Sequence, residues 1–366
     1  MLRAWLARSG ILPLSIDVRF FCDADVETMM ALIPYAQRWR HVELATIRLQ
    51  PIVEALRSLD ALESIKLGPL GDTNELAGLS SILSVAPKLR SVEWRVSVDI
   101  TILRLPWSQL THLDYHTAIA THSAINLLEA CPLLVDVHFH RLILSRLQQE
   151  ASVVTLHHLR TLRISRSFDY TRAIFRRVVL PNLRELVLGN PSRRLNFAIR
   201  PSSFVRFVTH MSSSLERITL VGCTELTEAS LIEVLGILPG ITHLDVQLSG
   251  GYGYVISDAF MTVLALRCVS RGIVNHYLLP HLENLRLRGK LTFSENSFLE
   301  MVKARSIIGA PEHSVILTTI DIDFEEAVSK KAAASLMAYR DSGISFPQWL
   351  DMVEGPILQF PEWLYN

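Results

Sequence analysis

Two short stretches carry histidine and aspartate at every second residue: "LTHLDYH", Leu110–His116, and "LVDVHFH", Leu134–His140. In the first, His112, Asp114 and His116 alternate with Leu113 and Tyr115. In the second, Asp136, His138 and His140 alternate with Val137 and Phe139. Imidazole and carboxylate both ligate zinc, and an unperturbed imidazole titrates near pH 6.5. A spacing of two is the period of a strand with one face buried. Six polar side chains are therefore expected on one face, about 7 Å apart along a strand and about 5 Å apart across strands. Three readings fit: a metal or enzymatic centre built on His112, His116, His138 and His140, a binding surface whose charge changes near pH 6.5, or polar positions that simply carry histidine. The last is the default. A flat sheet lacks the closed shell of a structural zinc site and no cysteine joins the group, so no metal is expected.

The elements that must position these residues come from a repeat. The form apolar-x-x-apolar-x-apolar opens with "WRHVEL" at Trp39. It returns as "LESIKL" at Leu62, "LRSVEW" at Leu89, "LTHLDY" at Leu110, "LVDVHF" at Leu134, "LRTLRI" at Leu159 and "LRELVL" at Leu183. It continues as "LERITL" at Leu215, "ITHLDV" at Ile241, "LENLRL" at Leu282 and "LTTIDI" at Leu317. Most openings lie 21 to 27 residues apart and the stretched intervals are 32, 41 and 35, against the 20 to 29 of a leucine-rich repeat.

Between strands lie helical patterns such as "ELAGLSSILSVAP", "HSAINLLEACP" and "TEASLIEVLGILP". Pro87, Pro132, Pro181, Pro239 and Pro280 precede strands, ending each helix and turning the chain. The expected fold is α/β: a leucine-rich-repeat solenoid with a curved parallel sheet on the concave side and helices on the convex side. Residues 1–38 form an N-terminal strand and helix ("LPLSIDVRF", "VETMMALIPYA"), and 39–324 form the repeats. Residues 325–366 form a helical cap ("FEEAVSKKAAASLMAY") with an aromatic tail holding Trp349, Phe360, Trp363 and Tyr365. "QLSGGYGYVISD", Gln247–Asp258, reads as a loop and not as a nucleotide site, since its "GYGYVI" lacks the third glycine of a dinucleotide fingerprint.

Thirty-six basic residues balance thirty-six acidic ones, so no global field draws the chain to nucleic acid or a membrane. The cysteines, Cys22, Cys131, Cys223 and Cys268, form no CxxC pair, and Asn190 is followed by Pro191, which spoils the one N-x-S/T match. With no run of eighteen apolar residues, the expected location is cytoplasmic or nuclear. No P-loop, GxSxG elbow or HExxH helix is present, so neither an enzyme nor a cofactor is expected.

The remaining concave positions are mixed in sign, including Lys66, Glu93, Arg95, Arg163, Glu185, Arg217, Asp245, Arg286, Arg288 and Asp321. Such a surface suits a protein more than a phosphate backbone, which selects one sign. Between Arg160 and Arg217 stand twelve arginines, no lysine and three acids, a locally basic segment suited to an acidic or phosphorylated peptide. The residues expected to meet a partner are His112, Asp114, His116, Asp136, His138, His140, Arg163, Arg217, Arg286 and Arg288.

"WLARSGILPLSIDV" (Trp5–Val18) and "LIPYAQRWRHVEL" (Leu32–Leu44), with the repeats behind them, resemble fungal, mushroom-type F-box/leucine-rich-repeat proteins. "VGCTELTEASLIEVLGILPGITHLDV", with Cys223 and Leu226, is similar to the cysteine-containing repeat of that family. The resemblance implies the substrate-recognition part of an SCF ubiquitin ligase, which holds a protein substrate on the concave surface. The F-box itself, a helical hairpin expected upstream of "WLARSG", is missing, so the resemblance implies an SCF adaptor contact only where an F-box lies upstream. The alternative is a ligase-independent leucine-rich-repeat scaffold using the same surface.

Overall fold

The computed structural model describes residues 2–20, 24–46, 53, 55–56, 58–68, 76–98, 100–144, 153–167, 171–190, 197–248, 255–265, 267–270, 273–306, 316–322, 328–347 and 350. The aromatic tail and the centre of the Gln247–Asp258 loop lie outside them. The chain divides into two compact units, Met1–Leu183 and Arg184–Asn366.

The first unit holds strands β1 (Leu14–Phe20), β2 (Trp39–Thr46), β3 (Ser64–Leu67), β4 (Ser91–Trp94), β5 (His112–Ala120), β6 (Asp136–Ile143), β7 (Val154–Thr155), β8 (Thr161–Ile164) and β9 (Val178–Val179). Seven of these form a parallel ladder in chain order, β1-β2-β3-β4-β5-β6-β8, while β7 and β9 pair separately. Helices include Leu2–Arg8, Ala24–Leu32, Leu76–Ser84, Thr121–Ala130 and Thr171–Arg177.

The second unit holds β10 (Glu185–Leu188), β11 (Arg217–Val221), β12 (His243–Gln247), β13 (Arg267–Ser270), β14 (Ile273–Tyr277), β15 (Asn284–Arg288) and β16 (Thr319–Ile322). Its parallel ladder runs β10-β11-β12-β15-β16, and β13 pairs antiparallel with β14. The 41-residue interval between "ITHLDV" and "LENLRL" is where that hairpin is inserted. Helices Pro201–Thr209, Glu228–Gly236, Asp258–Ala265, Glu295–Ala304 and Lys330–Asp341 alternate with the ladder strands. The chain is thus mixed α/β with parallel strands ordered as in the sequence.

The repeat explains this order physically. The opening apolar residue of every match, from Trp39 to Leu317, is no more than 1% exposed. The next apolar positions pair across strands: Ile65, Val92, Leu113, Val137 and Leu162 lie side by side in one unit. Leu186, Ile218, Leu244, Leu285 and Ile320 do the same in the other. Burying one such side chain contributes roughly 1.5–3 kcal/mol. A one-residue slip would place the whole row in water.

Proline sets where each strand begins. Pro87, Pro132, Pro181, Pro239 and Pro280 each stand four residues ahead of a strand. The amide of the opening apolar residue donates back across the proline, as from Leu89 to Ala86 O (3.4 Å), Leu134 to Cys131 O (3.2 Å) and Leu282 to Leu279 O (3.2 Å). This is a β-turn with proline at its second position, where a fixed φ suits the turn and the missing N–H costs nothing. One carbonyl just ahead of the preceding strand then accepts the next two amides: Thr111 and His112 both donate to Arg90 O, and Val135 and Asp136 to Thr111 O.

At the other end of two strands the chain requires glycine. Gly189, after β10, has φ +97°, and a Cβ there would sit 2.0 Å from the Val221 carbonyl oxygen. Gly289, after β15, has φ +105° and would meet Leu248 O at 2.8 Å. Gly343 has φ +109° with open space around it. We therefore expect Gly189→Ala to destabilise the protein by more than about 2 kcal/mol, combining strain and a backbone clash. Gly343→Ala should cost only about 1 kcal/mol. Urea unfolding of both variants checks this, and equal losses would show that the approach of Val221 does not matter.

Candidate functional site

The polar face of β5 and β6 follows from what the strands bury. Leu113, Tyr115, Val137 and Phe139 are all 2% exposed or less, which forces the alternating residues to the opposite face. Cross-strand pairing sets His112 beside Asp136 and Asp114 beside His138. The register then shifts between Tyr115 and Ala118. Three steps on β5 match two on β6, a bulge that re-aims the side chains around it. His116 and His140 lie at this irregularity, with their rings stacked at 3.8 Å.

Asp114 is the centre of the group. Its Oδ1 accepts a hydrogen bond from His140 Nε2 at 2.9 Å and lies 3.4 Å from His138 Nδ1, while Oδ2 lies 3.3 Å from His116 Nε2. His140 is sandwiched, since His138 also lies 3.7 Å from its ring. The far nitrogen of His138 pairs with the hydroxyl of buried Ser165 at 2.7 Å. From β4, Glu93 brings Oε1 to 3.1 Å from His116 Nε2. Lys66 at 3.0 Å and Arg95 hold that carboxylate.

Burial chiefly pushes the pKa of His138 down to about 4, helped by His140, Arg163 and His116 and opposed by Asp114. Burial likewise lowers His116, against the pull of Asp114 and Glu93. For Asp114, burial opposes ionisation, but the hydrogen bond from His140 and the neighbouring rings hold the carboxyl below its usual range. Glu93 is also lowered, because Lys66 and Arg95 outweigh its burial. Near pH 7 His116 and His138 are therefore neutral beside an ionised Asp114.

The other expected partner contacts are arranged differently. His112 is exposed and pairs through Nδ1 with Thr111 Oγ1, outside the cluster. Asp136 is engaged by Arg163 at 3.1 Å. In the second unit Arg217 is exposed on β11. There Arg286 lies 2.6 Å from Asp321 and 3.7 Å from Asp245, and Arg288 lies 3.1 Å from Asp321. The arginine-rich segment is partly offset as well, with Arg184 3.4 Å from Glu216. Cys131 and Cys223 are buried free thiols; burial pushes Cys131 up to about 12 and Cys223 up as well, which keeps both protonated.

Reading by residue type grouped four histidines, whereas the structure gathers three of them with Asp114 and adds Glu93 and Ser165. Glu93 was legible as a polar position but not as a neighbour of the histidines. Its signal was its place in "LRSVEW", equivalent to Asp114 in "LTHLDY", and the two pair directly across β4 and β5. No protein-family profile matches the chain, and no curated protein sequence is similar to it. Among the described residues no helix is long and apolar enough to cross a membrane.

Because the folded protein holds His138 below its unfolded value of about 6.5, the native state binds fewer protons than the unfolded state between about pH 6.5 and pH 4. This contribution is complete above pH 6.5 and is lost as the pH falls through about 4. After discounting for screening, it is on the order of 2 kcal/mol. In chelator-treated protein, the stability of His138→Gln should fall less between pH 7 and pH 4 than that of the wild type. Parallel urea midpoints for the two proteins would contradict this assignment.

Proposed function

We propose that the chain is a non-enzymatic leucine-rich-repeat module that holds a protein partner on the polar face of its parallel strands. The observation that carries this reading is the row formed by Lys66, Glu93, Asp114, His138 and Arg163. These residues occupy the same place in successive repeats and lie side by side through the strand register. All five are partly buried. The row mixes basic, acidic and imidazole side chains, which favours a protein surface of mixed sign over the single sign of a phosphate backbone.

Activity in this reading is placement. Side chains on a hydrogen-bonded ladder anchored by a buried row lose little further freedom when a partner docks, which lowers the ordering cost of binding. The repeat spacing, the opening residues buried in every match and the helix between most strands support a leucine-rich-repeat solenoid. The partner's further fate, delivery to an SCF-type ubiquitin ligase, rests on the sequence resemblance alone. The ligase-independent scaffold uses the same surface.

The test is partner capture with face variants. Lys66→Glu combined with Arg163→Glu should reduce recovery of wild-type partners at least tenfold. Glu129→Lys, an exposed change on the helix Thr121–Ala130, should leave recovery intact. Equal recovery by all three proteins would place binding elsewhere and remove the proposal. Co-purification of an SCF adaptor and cullin would favour the ligase reading, and partners recovered without them the scaffold.

A further inference from the structure

The donor atoms of Asp114, His116 and His140 converge. One ligand atom from each lies within 4.8 Å of the other two. Zinc bonded at about 2.0–2.1 Å in a tetrahedron keeps its ligand atoms about 3.4 Å apart. The contacts of Asp114 with His140 and His116, 2.9 Å and 3.3 Å, already lie close to that separation.

A second observation is independent of this spacing. His116 Nε2 is buried and makes no hydrogen bond among the described residues, although carboxylate oxygens of Glu93 and Asp114 stand 3.1 and 3.3 Å away. A buried polar atom left this way is costly unless something satisfies it. An electron pair flanked by two carboxylates, yet aligned with neither, is suited to a cation.

We propose that Asp114, His116 and His140 bind a divalent first-row transition ion of the zinc class. Two imidazoles and one carboxylate form a donor set for such ions, whereas calcium and magnesium require a shell of oxygens. The ligands are held in place before the ion arrives, and the His140 Nε2 proton that bonds Asp114 gives way to the ion by moving to Nδ1 or into solvent. The β5 bulge sets His116 against His140, buried Tyr115 and Phe139 anchor the strands beneath, and His138, tied to Ser165, supports the far side of the His140 ring. Glu93, fixed by Lys66 and Arg95, flanks the His116 nitrogen.

Three protein ligands leave at least one coordination position open, as in sites that admit water or an incoming group. The ligand side chains are 27 to 39% exposed, so the cluster is reached from the polar face. A carboxylate or imidazole from a docked protein can fill the open position. The site rests on its own donor atoms, independently of the partner-binding proposal, and is tested without a partner.

Untagged full-length protein, stripped with EDTA and dialysed, is titrated with Zn²⁺ by calorimetry and with Co²⁺ by visible absorption. One equivalent should bind. His140→Gln and Asp114→Asn should weaken binding by more than the roughly 10- to 100-fold typical of losing an outer-shell contact. His112→Gln should change it less than about threefold, since loss of a residue outside the site carries no such penalty. Circular dichroism of Asp114→Asn, which preserves side-chain shape, separates loss of ligand from loss of fold. If that variant unfolds, His116→Gln takes its place. Failure of micromolar Zn²⁺ to bind would overturn the proposal, as would equal weakening by His112→Gln or undiminished binding in the folded ligand variants.

Discussion

Alternate burial is the constraint from which the rest of this structure follows. Each ladder strand commits two side chains, two residues apart, to a dry interior, and the opening apolar residue of the repeat anchors the turn before it. Once Leu113, Tyr115, Val137 and Phe139 are inside, the orientation of His112, Asp114, His116, Asp136, His138 and His140 is no longer free. The polar face is a consequence of the core. Its chemistry depends on how repeats of unequal content line up beside one another.

That alignment is enforced by backbone geometry and not by the polar residues. Turns closed across Pro87, Pro132, Pro181, Pro239 and Pro280 fix the start of each strand, and one carbonyl accepting two amides fixes it against its predecessor. Charges on the exposed rows then meet whatever the neighbouring repeat supplies. In the second unit this yields Asp245, Arg286 and Asp321 in adjacent places, a set that offsets its own charge. Exposed pairs of this kind contribute roughly 0–1 kcal/mol each, so they shape the surface without holding the fold together.

The parallel strands and their order were legible because the pattern Leu-x-x-apolar-x-apolar recurs with little change and its period is physical. The helices announced themselves through their apolar stripes and the prolines after them. "FEEAVSKKAAASLMAY" was read as one helix; residues 324–327 lie outside the described residues, and from Val328 on the helix starts at Lys330, where Ser329 caps it by accepting from Ala332 N. The β13–β14 hairpin was hidden because "RCVSRGIVNHY" fell inside a stretched interval with no repeat signal. The histidine patch was legible as a face but not as a cluster. A spacing of two places His112, His116, His138 and His140 on that face with equal standing. What separates them is the bulge after Tyr115, an extra residue on one strand of the pair that no residue type declares.

The bulge also decides what the cluster is suited to do. Pairing runs to Tyr115 and Phe139 and resumes at Ala118 and Arg141, so His116 and His140 fall within the shift. The shifted ladder lets one carboxylate reach three imidazoles, stacks His140 between two rings, and leaves the His116 nitrogen near two carboxylate oxygens but bonded to neither. Burial keeps His116 and His138 neutral beside ionised Asp114 and Glu93. Neutral imidazoles beside ionised carboxylates carry lone pairs and negative charge at one place. That combination attracts a cation bound through nitrogen more than it attracts an anion, and it sets this part of the face apart from the self-compensating rows around it.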